Sequence, residues 1–265
     1  MVKDFTDKNE WALILGASSG MGLATAKKLA AHGLNLCLVY RSRKLNLESI
    51  EAEFLQIKND HGVQVIHFNL DATIPEKREE VIAALGFESE YSKVKVLVHS
   101  IAKGNLKPMI SDDKPTLKND DFHLTLENMA FSLYDWVQAI YKKALFAKDA
   151  RVISFTSMGN KRAWENYAAV SAAKVALEAI TRSLALEFAP YGIKANCIEA
   201  GITDTNSFQM IPGHEKLKEF ATSQNPSGRM TTPEDVAGAV YLLCKEEAKW
   251  ITGTTIPVNG GEHLR

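Results

Sequence analysis

Seven short runs rich in aliphatic and β-branched residues alternate with amphipathic stretches along almost the whole chain, and this alternation limits the possible folds most. The strand-like runs are WALILGA, LNLCLVY, VQVIHFNL, KVKVLVHS, RVISFTS, IKANCIEA and TTIPVNGG. Between them, GMGLATAKKLAAHG carries apolar residues every three or four positions and stops at Gly33. Further helices are predicted over about 45–60, from near Pro75, over about 122–145 and 163–188, and before the last strand. Parallel neighbours in a sheet need a long, usually helical crossover. The order therefore predicts one α/β domain over 1–265, a doubly wound, seven-stranded parallel sheet with helices on both faces. Neither a Pro/Gly/Ser-rich linker nor an internal repeat divides it.

Composition excludes several classes of function. The 265 residues are 46% hydrophobic and 24% charged with a formal net charge of −1, so no basic field recruits nucleic acid or an anionic membrane. The apolar runs are strand-sized, well short of the ~18 residues of a membrane span. MVKDFTDKNE lacks the apolar core of a secretory signal. Cys37, Cys197 and Cys244 form an odd, widely spaced set, read as inert thiols of a cytoplasmic protein. The scattered histidines offer no metal-ligand spacing, so no metal is expected.

Two stretches break the rhythm, 102–121 and 200–230. Both follow strand C-termini, the edge at which open α/β sheets bind ligands. The second carries Ile202, Phe208, Met210 and Ile211, an apolar load that predicts a lid, with Phe208, Met210 and Ile211 facing substrate.

LGASSGMG places Gly16, Gly20 and Gly22 directly between the first strand and the first helix. Glycines there permit a tight turn and close backbone approach, and the helix N-terminus offers N–H groups to a pyrophosphate. This is a Rossmann-like dinucleotide turn, with Ser18, Ser19 and Met21 as further contacts. At the end of the second strand an NAD site usually has an acidic residue. Here the chain reads Tyr40, Arg41, Ser42, Arg43, which favours the 2′-phosphate of NADPH over NADH. Asp71, between Leu70 and Ala72, follows the third strand, either accepting from the adenine amine or capping a turn. Ser100, Ile101 and Ala102 end the fourth strand; Gly201, Ile202, Thr203 and Thr205 follow the sixth. All of these are expected along the cofactor.

In combination these motifs resemble the short-chain dehydrogenase/reductase superfamily over essentially the whole chain. Within it, Tyr167 in NYAAVSAAK stands seven residues before Lys174, whereas most members have tyrosine four before, where this chain has Val170. The longer gap, with the surrounding SFTSMGNKRAWENYAAVSAAK and the VLVHSIA run, resembles the enoyl-[acyl-carrier-protein] reductase branch. The short glycine turn and Ser157, seventeen residues before the lysine, make it most similar to the NADPH-using type III.

Seven residues are about two helical turns, so Tyr167 and Lys174 are predicted on one helical face about 10.5 Å apart. The resemblance implies hydride transfer to the β-carbon of an enoyl thioester, with Tyr167 hydrogen-bonding the thioester oxygen. It implies that Lys174 holds the nicotinamide ribose and that Asn128 belongs to the catalytic set, unless it merely satisfies a helix break. Ser157 either orients the carbonyl or Tyr167, or caps the strand end. The resemblance also implies an acyl-carrier protein as partner and a homotetramer or homodimer. The apolar load of the two long helices, including Phe131, Trp136 and Ile140, agrees with such an interface. A ketone reductase of the same superfamily and a non-catalytic NADP-binding sensor or scaffold are the rival readings.

Overall fold

In β1 (Glu10–Leu15), Trp11, Leu13 and Leu15 face one side of the sheet while Ala12 and Ile14 face the other, all buried. The next strand, β2 (Asn35–Tyr40), repeats the pattern, with Cys37 and Val39 on the first side and Leu36, Leu38 and Tyr40 on the second. A strand that must be apolar on both sides cannot border water, so helices cover both faces. This computed structural model describes residues 3–6, 8–87 and 93–264; the first two and the last residue of the expected domain lie outside that set.

The remaining strands are β3 (Val65–Asn69), β4 (Lys93–His99), β5 (Phe146–Ser157), β6 (Ile193–Ala200) and β7 (Thr255–Val258). All pair in parallel in the order β3-β2-β1-β4-β5-β6-β7, so the chain begins at the centre of the sheet and winds outward both ways. The order reverses between β1 and β4. Their C-terminal ends leave the crevice in which such sheets hold ligands.

The helices are α1 (Gly20–Ala31), α2 (Leu47–His61), α3 (Pro75–Phe87), α4 (Asn119–Leu126), α5 (Ser132–Lys142), α6 (Ala168–Glu187), α7 (Asn206–Gln209), α8 (His214–Gln224) and α9 (Pro233–Cys244). Leu29, Phe54, Val236 and Val240 bring α1, α2 and α9 onto one face. Val81, Trp136, Ile140 and Leu177 bring α3, α5 and α6 onto the other.

Three expectations change. The helix predicted over 122–145 is α4 and α5 joined by a π-turn at Glu127–Phe131, and such insertions recur at functional sites. Trp136 and Ile140 are fully buried rather than surplus surface: the Trp136 indole donates to the Ala72 carbonyl at 2.9 Å, and only Phe131 of the three is exposed. The helix predicted from 163 starts at Ala168. Asn166 is left-handed (φ 64°) and Tyr167 is the N-cap (φ −110°, ψ 2°), accepting from the Ser171 N–H at 2.8 Å. Asparagine tolerates a left-handed backbone better than most residues, and that kink sets Tyr167 at the N-cap, ahead of the helix proper.

The 200–230 segment is structured. It carries α7 and α8, and a bridge between Thr203 and Thr231 closes its base. Among the described residues no helix is long and apolar enough to cross a membrane.

Candidate active site

Two adjoining cavities lie over the C-terminal ends of the strands, meeting at Met21, Ala102, Thr205 and Ser207. The outer one is a groove of about 570 Å³. Its rim is the turn after β1, where Gly16 has φ +86° and a Cβ would lie 2.4 Å from the Ser100 carbonyl oxygen. Gly20 (φ +54°) opens α1, whose N-cap Ser19 makes no side-chain cap, so the first-turn N–H groups face the groove. Gly22 does not line the groove as expected. It is needed for packing, since a Cβ there would meet the Gly16 carbonyl oxygen at 2.2 Å.

Ser18, Met21, Tyr40, Arg41, Ser42, Arg43, Leu70, Asp71, Ala72, Ser100, Ile101 and Ala102 line this groove, where the sequence puts the cofactor; Asn128, expected in the catalytic set, lines the groove too and not the inner cavity that holds Tyr167 and Lys174. Tyr40 turns its ring inward against Phe54, 5.4 Å between centroids. Arg41 Nη1 meets Asp71 at 2.5 Å and Lys103 approaches the same carboxylate at 3.6 Å. Burial opposes ionisation of Asp71, but two bonds from Thr73 and these two cations outweigh it and hold the carboxyl below its usual range. Lys103 and Thr73 were not foreseen. Lys103 stands beside Ala102, and a search for cations at the fourth strand end would have found it.

The inner cavity, about 200 Å³ and mainly apolar, is walled by Leu106, Met129, Val170, Ile202, Phe208 and Ile211. Gly201, Ile202, Thr203 and Lys174, assigned above to the cofactor, line this cavity rather than the groove, which is where a nicotinamide entering from the seam would lie. Thr205 touches both cavities and caps α7 through the Phe208 N–H. Met210, expected on the substrate, is 74% exposed and outside the lining; Phe208 of α7 and Ile211, whose N–H donates to the Phe208 carbonyl at 2.9 Å, line the cavity while the C-cap Met210 between them does not. Trp164, Leu217 and Glu262 complete the wall without having been predicted, since nothing in their local spacing marks them.

Tyr167 places its hydroxyl 3.5 Å from Ser157 Oγ at the end of β5. Burial raises the Tyr167 pKa, with Ser157 a weaker opposing influence, so the phenol keeps its proton at neutral pH. Lys174 donates from Nζ to the Phe155 carbonyl at 2.6 Å; burial pulls its pKa down to about 8. His99 is buried beneath. Burial first, then the Lys174 charge, push it down to about 3, so it is neutral and its Nε2 meets Ser132 Oγ at 2.8 Å. Asn128 spends its amide on the Leu124 carbonyl at 2.8 Å, closing the π-turn break.

The groove fits a dinucleotide: a cradle that a Cβ would fill, an uncapped helix start, and a carboxylate flanked by cations on the far side. Comparison with known proteins agrees. Residues 16–263 match the family described as Enoyl-(Acyl carrier protein) reductase. The chain is 28% identical over 258 residues to dehydrogenase/reductase SDR family member 4 of Sus scrofa, covering 97% of this chain and 88% of that one. It is 28% identical over 255 residues to 3-oxoacyl-[acyl-carrier-protein] reductase FabG of Vibrio cholerae, covering 96% and 97%. The solved enoyl-[acyl-carrier-protein] reductase (NADH) of Aquifex aeolicus shares its fold, with a TM-score of 0.83 at 24% identity over 97% of each chain. Sheet order, glycine turn and a family match over nearly the whole length make this chain an oxidoreductase of the short-chain dehydrogenase/reductase superfamily, whose cofactor is a nicotinamide dinucleotide.

Proposed function

We propose that the chain is an NADPH-dependent enoyl-[acyl-carrier-protein] reductase. The observation that carries this reading is the location of Tyr167, the one phenol among the described residues that line the inner cavity. Val170 occupies the usual tyrosine position and packs against Met129 and Ala173, while Tyr167 stands ahead of α6 with its hydroxyl beside Ser157. Reducing a ketone puts negative charge on the oxygen of the carbon that takes the hydride. Reducing an α,β-unsaturated thioester puts it on the thioester oxygen, further along the substrate. A phenol displaced past the helix start suits the second geometry.

When bound, the nicotinamide supplies a hydride to the substrate β-carbon. Tyr167 donates a hydrogen bond to the thioester oxygen as charge grows there, the kind of fixed donor that lowers a barrier most in a dry site. Lys174 adds a buried positive charge and holds the ribose hydroxyls. The segment bearing α7 and α8 acts as a lid, with Phe208, Ile211 and Leu217 keeping water from the reacting atoms. The acyl-carrier protein is the partner of this reading. Lys103, Lys107, Lys216 and Lys218, on the two segments framing the cavity, are the cations that would meet its acidic surface, with Lys103, Lys107 and Lys218 exchanging from Asp71, Asp121 and Asp204 to do so. Self-association into a dimer or tetramer would use the exposed Phe131, Tyr134 and Val175 of the π-turn, α5 and α6.

A second reading, reduction of a 3-oxoacyl thioester, is favoured by the Ser157 hydroxyl near Tyr167, which could hold a ketone oxygen between the two, and by the 3-oxoacyl reductases among its relatives. The two separate in one assay. Oxidation of NADPH with a trans-2-enoyl thioester and none with the 3-oxoacyl thioester is expected; turnover of the 3-oxoacyl substrate alone would reject the enoyl reading.

NADPH preference rests on Arg41. Its present partner Asp71 is also held by Thr73 and Lys103, so the guanidinium can exchange to a 2′-phosphate without stranding the carboxylate. Arg41→Ala is expected to raise KM for NADPH by about 10-fold, the worth of one charge-assisted hydrogen bond, while KM for NADH stays put. Equal effects on both cofactors would remove Arg41 from phosphate recognition.

A further inference from the structure

One turn beyond Lys174 on α6, Glu178 reaches across to the end of β5. Its Oε1 accepts from the Thr156 hydroxyl at 2.7 Å and from the Asn160 side-chain amide in a still closer contact. Three residues separate the two donors, and two of them touch Tyr167. Ser157 does so through its hydroxyl. Gly159 does so through its bare Cα: a Cβ there would lie 2.5 Å from Tyr167 Cε1, so the tyrosine ring lies directly against this glycine. A single carboxylate oxygen on the catalytic helix thus ties down both ends of the segment against which the phenol rests. The other Asn160 amide atom, Oδ1, is buried with no partner, so what orients this side chain is the bond to Glu178.

We propose that Glu178 is a positioning residue: it clamps the Thr156–Asn160 segment and thereby sets where the Tyr167 phenol stands relative to Ser157. This rests on the reading of Tyr167 as the donor to the thioester oxygen. The physical reason is geometric. Misplacing a reacting group by about 1 Å can cost about 100-fold in rate, and without the clamp the short turn Met158–Asn160 has no other side-chain tie to α6 among the described residues' hydrogen bonds. What the clamp needs from Glu178 is an acceptor oxygen, which glutamine also has.

The test is steady-state kinetics on the whole enzyme with an enoyl thioester and NADPH, together with thermal unfolding. Glu178→Ala is expected to lower kcat by about 10- to 100-fold with KM for NADPH changed less than about twofold. Glu178→Gln, keeping the acceptor but not the charge, should recover most of that loss. Thr156→Val, which removes one donor at nearly constant volume, should fall in the same direction and add little to Glu178→Ala, because both cut one link. Parental kcat in Glu178→Ala or Thr156→Val would overturn the proposal, as would lowered thermal stability with unchanged kcat per folded molecule. Glu178→Gln as slow as Glu178→Ala would also overturn it, because the charge beside Lys174 would then be what matters. Tyr167→Phe runs alongside. If it is slow while Glu178→Ala is not, the clamp alone fails; if Tyr167→Phe keeps parental kcat, the reading of Tyr167 fails and the clamp with it.

Discussion

Replacing Tyr167 by phenylalanine is expected to lower kcat on an enoyl thioester by about 10²- to 10³-fold, leaving NADPH binding and thermal stability close to the parent's. The change removes one oxygen and little else. The ring still lies against Gly159, the backbone still starts α6 by accepting from Ser171, and the lost hydroxyl contact to Ser157 spans a long 3.5 Å. Stability therefore has little to lose, whereas the developing oxyanion loses its fixed donor. Burial keeps the phenol protonated through neutral pH, so the donor is present across the working range and the parent should show no titration of Tyr167 below the ordinary phenol range. Stopped-flow or steady-state absorbance at the nicotinamide band reads the rate. A Tyr167→Phe enzyme with parental kcat would show that the phenol is a packing residue, and the enoyl reading would lose its main support.

Much of this arrangement could be read from sequence because backbone demands leave residue-level marks. The inner strands are covered on both sides and read as apolar runs, the partly exposed edge strands β3 and β7 are marked instead by β-branched residues between turns, and Gly16 is visible because no other residue tolerates both its φ and the Ser100 carbonyl so close. Positions set by a single kink were not visible. Ala163–Ala168 has the composition of a helix start, and nothing short of the structure reveals that Asn166 turns left-handed and moves Tyr167 to the N-cap. Met210 misled for a related reason. An apolar residue in a polar segment suggests burial, but Met210 is the C-cap of the one-turn α7 and lies exposed where the chain leaves it. Glu178 was illegible altogether, since its partners lie 18 and 22 residues earlier and no periodicity links a helix carboxylate to a strand end.

Lys174 leads to a prediction in which activity and stability move in opposite directions with pH. Burial brings its pKa from 10.5 down to about 8, so the folded protein binds its proton less readily than the unfolded chain does. Between about pH 8 and 10.5 the unfolded state holds more protons, and the contribution of this residue to stability rises with pH across that window. Below pH 8 the ammonium is retained in both states and its burial costs about 3 kcal/mol relative to the neutral amine. Lys174→Met has no such group. Urea unfolding without cofactor should therefore favour the Met variant over the parent by about 3 kcal/mol more at pH 7 than at pH 10.5, whatever the loss of the 2.6 Å bond to Phe155 adds at both. The proposed reaction needs the opposite condition, since there the charged form would support the oxyanion and the ribose. The parental kcat/KM should fall as pH rises through about 8, and Lys174→Met should be slower by about 10²- to 10³-fold at pH 7 with that alkaline limb gone. A parent whose unfolding free energy, relative to the Met variant, does not change over this window would mean that Lys174 is solvated rather than a desolvated cation. Its stability cost and the catalytic use proposed for it share one physical origin, the removal of an ammonium from water into a mainly apolar cavity.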